Sequence, residues 1–230
     1  MEHTVISIGA LSHNRLWHES GQLRTPHATT TLVRDQGRMI LVDPSLPAPV
    51  LEARFNERTG KRLSDVTDVF CTTLRPAHRR GLGALPQAAW WSHEAELKSF
   101  RSYLQGLPED PASREGNSAG EGEDELRMLE GFQAAPERFA EQVHLYPLPG
   151  PSAGSAGLLL TPPTQTILIA GDAVLTREHL ASGQVWEGSA DLEAAMRSLR
   201  DVLEIADIVV PGHDNIFLLP GAGFHMAAGL

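Results

Sequence analysis

The chain has 230 residues, 41% of them hydrophobic, and a formal net charge of −10 at pH 7. That length and apolar content suit one α/β domain over residues 1–230 with a sizeable core. The acidic balance argues against a nucleic-acid partner, and no run reaches the roughly 18 apolar residues of a membrane span.

The elements follow in chain order. "TVISIG" (4–9), "TTTLVR" (29–34) and "RMILVDP" (38–44) read as strands rich in β-branched residues, with a hairpin turn at Asp35-Gln36-Gly37. Residues 47–60 read as a helix opened by Pro47 and closed by Gly60. Strands are expected at "TDVFCTT" (67–73) and "AAWWSH" (88–93), then helices over 93–105 and 123–135. The stretch between those helices, 106–124, is rich in Gly, Pro, Ser and acids and reads as a mobile surface loop. "QVHLYPL", "AGLLLTP" and "QTILIAG" read as three further strands. The clearest helix is 190–206, where Leu192, Ala195, Met196, Leu199, Val202, Leu203 and Ala206 form one stripe. "DIVVPGH" (207–213) is a strand running into a loop. Several strands and then helices in each half predict two packed sheets with helices outside.

Cys71 is the only cysteine, which excludes an internal disulfide and fits a reducing compartment. The N-terminus lacks the pattern of a signal peptide, so the expected location is cytoplasmic. The apolar end, "IFLLPGAGFHMAAGL", suits either covering the domain's own core or forming a homo-oligomer.

Three polar residues stand just beyond predicted strands: His78, Asp172 and His213. Two neutral imidazoles and a carboxylate suit Zn²⁺ with an open position, or non-heme Fe²⁺. Their loops also carry Arg75, Arg79 and Arg80, which favour a small anionic ligand. A separate pattern, Gly150-Pro151-Ser152-Ala153-Gly154, matches G-x-S-x-G, with Ser152, Asp172 and His213 in serine-hydrolase order. Its flanks read as strand–turn–strand rather than the strand–turn–helix that motif needs. His93, at a strand–helix junction, is expected to cap the helix or line the pocket. His144 sits in a strand, and His18 and His27 lie near the N-terminal strands. His3, His13, His179 and His225 have no second ligand at useful spacing. Trp186, beyond the Asp172 strand, is a candidate for lining a substrate pocket.

Four stretches, "TTTLVRDQGRMILVDPSL", "VTDVFCTTLRPAHRRGLGALP", "ILIAGDAVL" and "IVVPGHD", give the chain a resemblance to the metallo-β-lactamase-fold hydrolases. The resemblance implies an αββα sandwich with one or two metals along one edge of the sheets. The family's Thr-His-X-His-X-Asp-His signature is met here only at Thr72 and His78; Thr73, Arg75 and Ala77 stand at the other ligand positions. Pro151 stands where a further histidine is implied, Asp172 where the bridging aspartate is, and His213 where the last histidine is. Asp43 matches a carboxylate often found behind the metals. A first metal therefore loses its three implied histidines, while a second keeps His78, Asp172 and His213.

Two readings remain open at this level. In one, the fold persists with hydrolysis reduced or lost and with one metal ion, zinc or iron, or none. In the other, a single metal lowers the pKa of its water to about 7, and the protein hydrolyses an ester, a phosphoester or another small anionic substrate. Arg75 then stabilises the developing oxyanion, and Asp43 or Asp172 orients the water. In both, Arg75 is expected to point inward toward Asp172 and Asp43, because a buried guanidinium needs an acidic partner.

Overall fold

The computed structural model describes residues 1–106 and 121–219. Strand β1 (Glu2–Ser7) pairs antiparallel with β2 (Thr30–Asp35), and β2 with β3 (Arg38–Val42). Strands β4 (Asp68–Cys71), β5 (Ala89–Ser92) and β6 (Phe132–Ala134) continue this first sheet in parallel. The second sheet holds β7 (Arg138–Ala140), β8 (Val143–Pro147), β9 (Ala156–Leu160), β10 (Ile167–Gly171), β11 (Ile208–Pro211) and β12 (Phe217–Leu218). Its order is β12-β11-β10-β9-β8-β7, and β10 and β11 run parallel. The β2–β3 hairpin turns through Gln36 and Gly37, both at positive φ (47° and 82°), as a tight two-residue connection requires.

Strand alternation sorts the core into layers. Ile40, Val42 and Phe70 face the other sheet and meet Leu158, Ile167, Ile169 and Val210. Their neighbours Leu41, Val69 and Cys71 point the opposite way, against Leu51 and Phe55 of α1 (Ala48–Thr59) and Leu104 of α3 (Glu94–Gln105). Leu168, Ala170 and Val209 do the same on the second sheet, against Leu180 of α5 (Arg177–Ser182) and Leu199 and Val202 of α6 (Leu192–Ile205). Helix α1 ends at Gly60, whose left-handed φ of 67° closes it. The remaining helices are α2 (Pro76–Arg79) and α4 (Glu121–Glu130). The architecture is the αββα sandwich.

Three expectations are corrected. The helix expected over 123–135 starts at Glu121 and stops at Glu130, and Phe132–Ala134 is strand β6. Beyond Gly131, Phe132 buries its ring against Trp90 (5.7 Å between centroids) instead of continuing the helix. Leu192 opens α6 but is 52% exposed and adds nothing to its buried stripe. The loop expected over 106–124 lies mostly outside the described residues, and its last part is the start of α4. Residues 220–230 of the apolar end also lie outside them. Among the described residues no helix is long and apolar enough to cross a membrane.

Phe70 is fully buried between the sheets, with its ring edge-on to Phe139 at 5.7 Å. Phe70→Ala should destabilise the protein by about 4 kcal/mol, whereas Leu192→Ala should change it by less than about 0.5 kcal/mol. Urea denaturation of the two variants checks the contrast.

Candidate metal centre

The site forms where strand ends of both sheets meet. β4 ends at Cys71, and the next seven residues supply Thr72, Thr73, Arg75 and His78. β10 delivers Asp172 and β11 delivers His213. Two glycines let them converge. A Cβ on Gly171 (φ 52°) would strike the Thr72 side chain at 2.5 Å, and one on Gly212 would lie 2.9 Å from the Gly171 backbone.

His78, Asp172 and His213 come together and are all buried. Their ligand atoms lie within 4.8 Å of one another, forming a group able to hold a metal ion among the described residues. His78 Nε2 and His213 Nε2 each lie 3.1 Å from Asp172 Oδ1. The opposite nitrogens are anchored. His213 Nδ1 lies 2.9 Å from the His27 carbonyl oxygen and 3.2 Å from that of Ala10. Carbonyls only accept, so this nitrogen carries the proton. His78 Nδ1 lies 3.0 Å from Asp43 Oδ2 and 3.2 Å from Thr72 Oγ1. The Thr72 hydroxyl donates to Asp43 Oδ2 at 2.7 Å, so His78 Nδ1 must donate as well. With Nδ1 so anchored, each ring turns its Nε2 toward the same carboxylate oxygen, an arrangement in which a cation between them would be well held. The donor set fits one metal ion. In the metal-free protein a proton on His78 serves instead. Burial opposes charge on His78, but Asp172 and Asp43 override it and push the imidazole up to about 10. Burial would also raise Asp172, yet the two imidazoles hold its carboxyl well below the usual range.

Arg75 points inward. Its Nη1 donates to Asp172 Oδ2 at 2.7 Å and its Nη2 to the Pro151 carbonyl, and the guanidinium stacks on Trp186 at 4.0 Å from the ring centre. Asp43 does not meet Arg75. It is held at positive φ (49°) and accepts from Thr72 N (2.8 Å) and Thr72 Oγ1, which fixes it behind His78.

Glu96 had no role in the sequence reading. It is buried in the first turn of α3, where it accepts from Thr73 Oγ1 (2.7 Å), Leu74 N (2.9 Å) and Ser152 Oγ (2.6 Å). It thereby ties the 73–75 segment to the 150–155 loop. Ser152 is thus committed to Glu96, no bond joins it to His213, and a turn rather than a helix follows it. The Ser152/Asp172/His213 arrangement is not assembled. His93 occupies the N-cap position of α3 as expected, but its side chain makes no capping bond; its Nδ1 meets the Gly154 carbonyl oxygen at 3.0 Å. His27 approaches the site with its carbonyl, while its ring bonds the backbone oxygens of Thr25 and Ile8. His18 stands at a left-handed turn on the surface, and His144 pairs with Arg138 across β7 and β8. Trp186 lines a cleft beside the site.

Residues 24–213 match the metallo-beta-lactamase superfamily. A structure from Thermotoga maritima described as a metallo-beta-lactamase is 20% identical, with 95% of this chain covering 99% of that one at a TM-score of 0.68. AidC, a dizinc quorum-quenching lactonase, is 14% identical over 85% of this chain and 77% of its own, at 0.67. AiiA from B. thuringiensis, solved with N-decanoyl-L-homoserine at its active site, is 18% identical over 83% and 85%, at 0.59. No match was found among curated proteins. At these identities the solved structures speak for the fold, and the match over residues 24–213 speaks for descent: the chain belongs to the metallo-beta-lactamase superfamily.

Proposed function

We propose that this protein is a degenerate member of the superfamily, holding at most one metal ion, zinc or iron, on His78, Asp172 and His213, with metal-dependent hydrolysis reduced or lost. The observation that carries this reading is the Arg75 guanidinium, 2.7 Å from Asp172 Oδ2 and bonded to the Pro151 carbonyl. Positions 73, 75 and 151 are those at which the resemblance implies the histidines of a first metal. A fixed cation and a hydrogen-bonded threonine stand there instead.

The anchored imidazoles favour a second reading, an active single-metal hydrolase of a small ester, phosphoester or lactone. When bound, the ion supplies Lewis acidity and acidifies water. The chain's own residues do the rest. Asp43 and the His27 carbonyl hold the ring tautomers. Arg75 is 28% exposed at its side chain and keeps donors beyond the two bonds to Asp172 and Pro151, so it can receive an anionic or carbonyl oxygen.

Zinc loading followed by elemental analysis should give no more than one ion per chain. His78→Ala and His213→Ala should each abolish it, and Thr73→Ala should leave it unchanged. Two tightly held ions would show that the first site is intact. Against a panel of lactones, esters, phosphodiesters and β-lactams, turnover should be slow or absent; rates typical of two-metal relatives would exclude the degenerate reading.

Protonation gives an independent handle. His78 is raised from 6.5 in the unfolded chain to about 10 in the metal-free fold. Its contribution to stability is therefore fully present below pH 6.5 and is lost as pH rises toward 10. Zinc must displace that proton, so calorimetry in buffers of different ionisation enthalpy near pH 7.5 should detect proton release on binding. Zinc-loaded protein should lack the alkaline loss of stability.

Arg75→Ala separates charge from ligation. It should destabilise the metal-free fold by about 3 kcal/mol, because the buried Asp172 Oδ2 loses its partner. It should also strengthen zinc binding by about tenfold or more, because a neighbouring positive charge is removed. Unchanged zinc affinity would mean that Arg75 does not oppose the ion.

A further inference from the structure

Beside the site runs a cleft of about 220 Å³. Leu11, Leu16, Leu175, Val185 and Trp186 give it apolar walls, and His179 is part of its lining. Arg15 and Glu187 form an exposed ion pair across its rim. Trp186 belongs to both places, since it lines the cleft and carries the Arg75 guanidinium.

His179 has a fixed proton. Thr176 is the N-cap of α5, and its hydroxyl donates to Glu178 Oε2 at 2.7 Å, an oxygen that only accepts. That uses the single Thr176 proton. His179 Nδ1 lies 2.9 Å from the same Oγ1 and must therefore be the donor there. Burial lowers the pKa of the ring, which keeps it neutral at physiological pH. A neutral ring protonated on Nδ1 carries a lone pair on Nε2. The residue is only 8% exposed, yet among the described residues Nε2 has no hydrogen-bond partner and is not sealed from solvent. His179 is a lining residue of the cleft, and we take the accessible Nε2 to open on it.

A buried acceptor of fixed tautomer selects for a donor, because a ligand that lacks one leaves the nitrogen desolvated and unpaired. We infer that the cleft binds small, mainly apolar molecules that present an N–H or O–H group to His179 Nε2, and rejects their N- or O-alkylated counterparts. The apolar walls supply the affinity and the histidine supplies the selection. Neither requires a metal at His78, Asp172 and His213, so this inference and the proposed function can fail separately.

Metal-free protein labelled with ¹⁵N-histidine, titrated with benzamide and with N,N-dimethylbenzamide, tests it by NMR. The His179 Nε2 resonance should lie in the range of an unprotonated ring nitrogen and should move when benzamide is added. Dimethylbenzamide should bind about tenfold more weakly or worse. His179→Gln keeps an acceptor and should keep the preference, whereas His179→Leu should bind both amides alike. A proton on Nε2, equal affinity of the unaltered protein for the two amides, no binding of benzamide at millimolar concentration, or a preference that survives His179→Leu would each overturn the inference. The comparison of the two amides on the unaltered protein stands even where a variant fails to fold.

Discussion

A carboxylate taken out of water has to be compensated, and Asp172 is where this structure meets that demand. The residue is 6% exposed at the end of β10. Its two oxygens are divided, with the imidazoles of His78 and His213 on Oδ1 and the guanidinium of Arg75 on Oδ2. Arg75 and His78 follow β4 of the first sheet, while Asp172 and His213 follow β10 and β11 of the second. One buried charge thus joins the open ends of both sheets. Removing a partner costs far more than the pair is worth, because the carboxylate stays behind.

Other buried acids hold the supports in place. Asp43 takes up left-handed backbone, a conformation that costs a non-glycine residue free energy. Its carboxylate bonds to Thr72 N, Thr72 Oγ1 and His78 Nδ1, which compensates for that strain. Glu96 serves the neighbouring loops in the same way, through Thr73, Leu74 and Ser152. A carboxylate with several donors around it fixes each donor's position, so these acids set where Arg75 and His78 can point. The negative charges of the site are structural as much as chemical.

The layers of the fold were legible because "RMILV", "DVFC" and "ILIAG" are short apolar runs bounded by turn or loop residues, the mark of central strands covered on both faces. The three-residue strands β6 and β7 and the two-residue β12 were not, since so few residues carry no period. His78, Asp172 and His213 were singled out by their place just beyond strands together with the family resemblance, and the inward turn of Arg75 by its position in that resemblance and the need of a buried cation for an acid. Glu96 was missed because an acid in the first turn of a helix looks like an ordinary surface residue. Its burial depends on the close approach of Gly154, where a Cβ would lie 1.9 Å from the Glu96 backbone nitrogen. Such an approach links residues far apart in the chain and leaves no local pattern. His179 was passed over because only a second metal ligand was sought for it, whereas its partner is a hydroxyl three residues away.

The division of Asp172 bears on the proposed reading, in which an arginine takes the place of a first metal. Arg75 holds Oδ2 while the imidazoles converge on Oδ1, which leaves Oδ1 as the oxygen offered jointly with the His78 and His213 nitrogens if an ion were held. The opposition between such an ion and the guanidinium is one of charge, and the carboxylate between them screens part of it. In the proposed reading the aspartate would serve a held ion and, at the same time, a cation that is covalently part of the chain. A guanidinium keeps the charge and the hydrogen-bonding capacity of that position, but it neither exchanges ligands nor acidifies water. Stacked on Trp186 and bonded to Pro151, it is also fixed in direction. What such a replacement preserves is recognition of an electron-rich oxygen; what it gives up is the second half of a two-metal clamp.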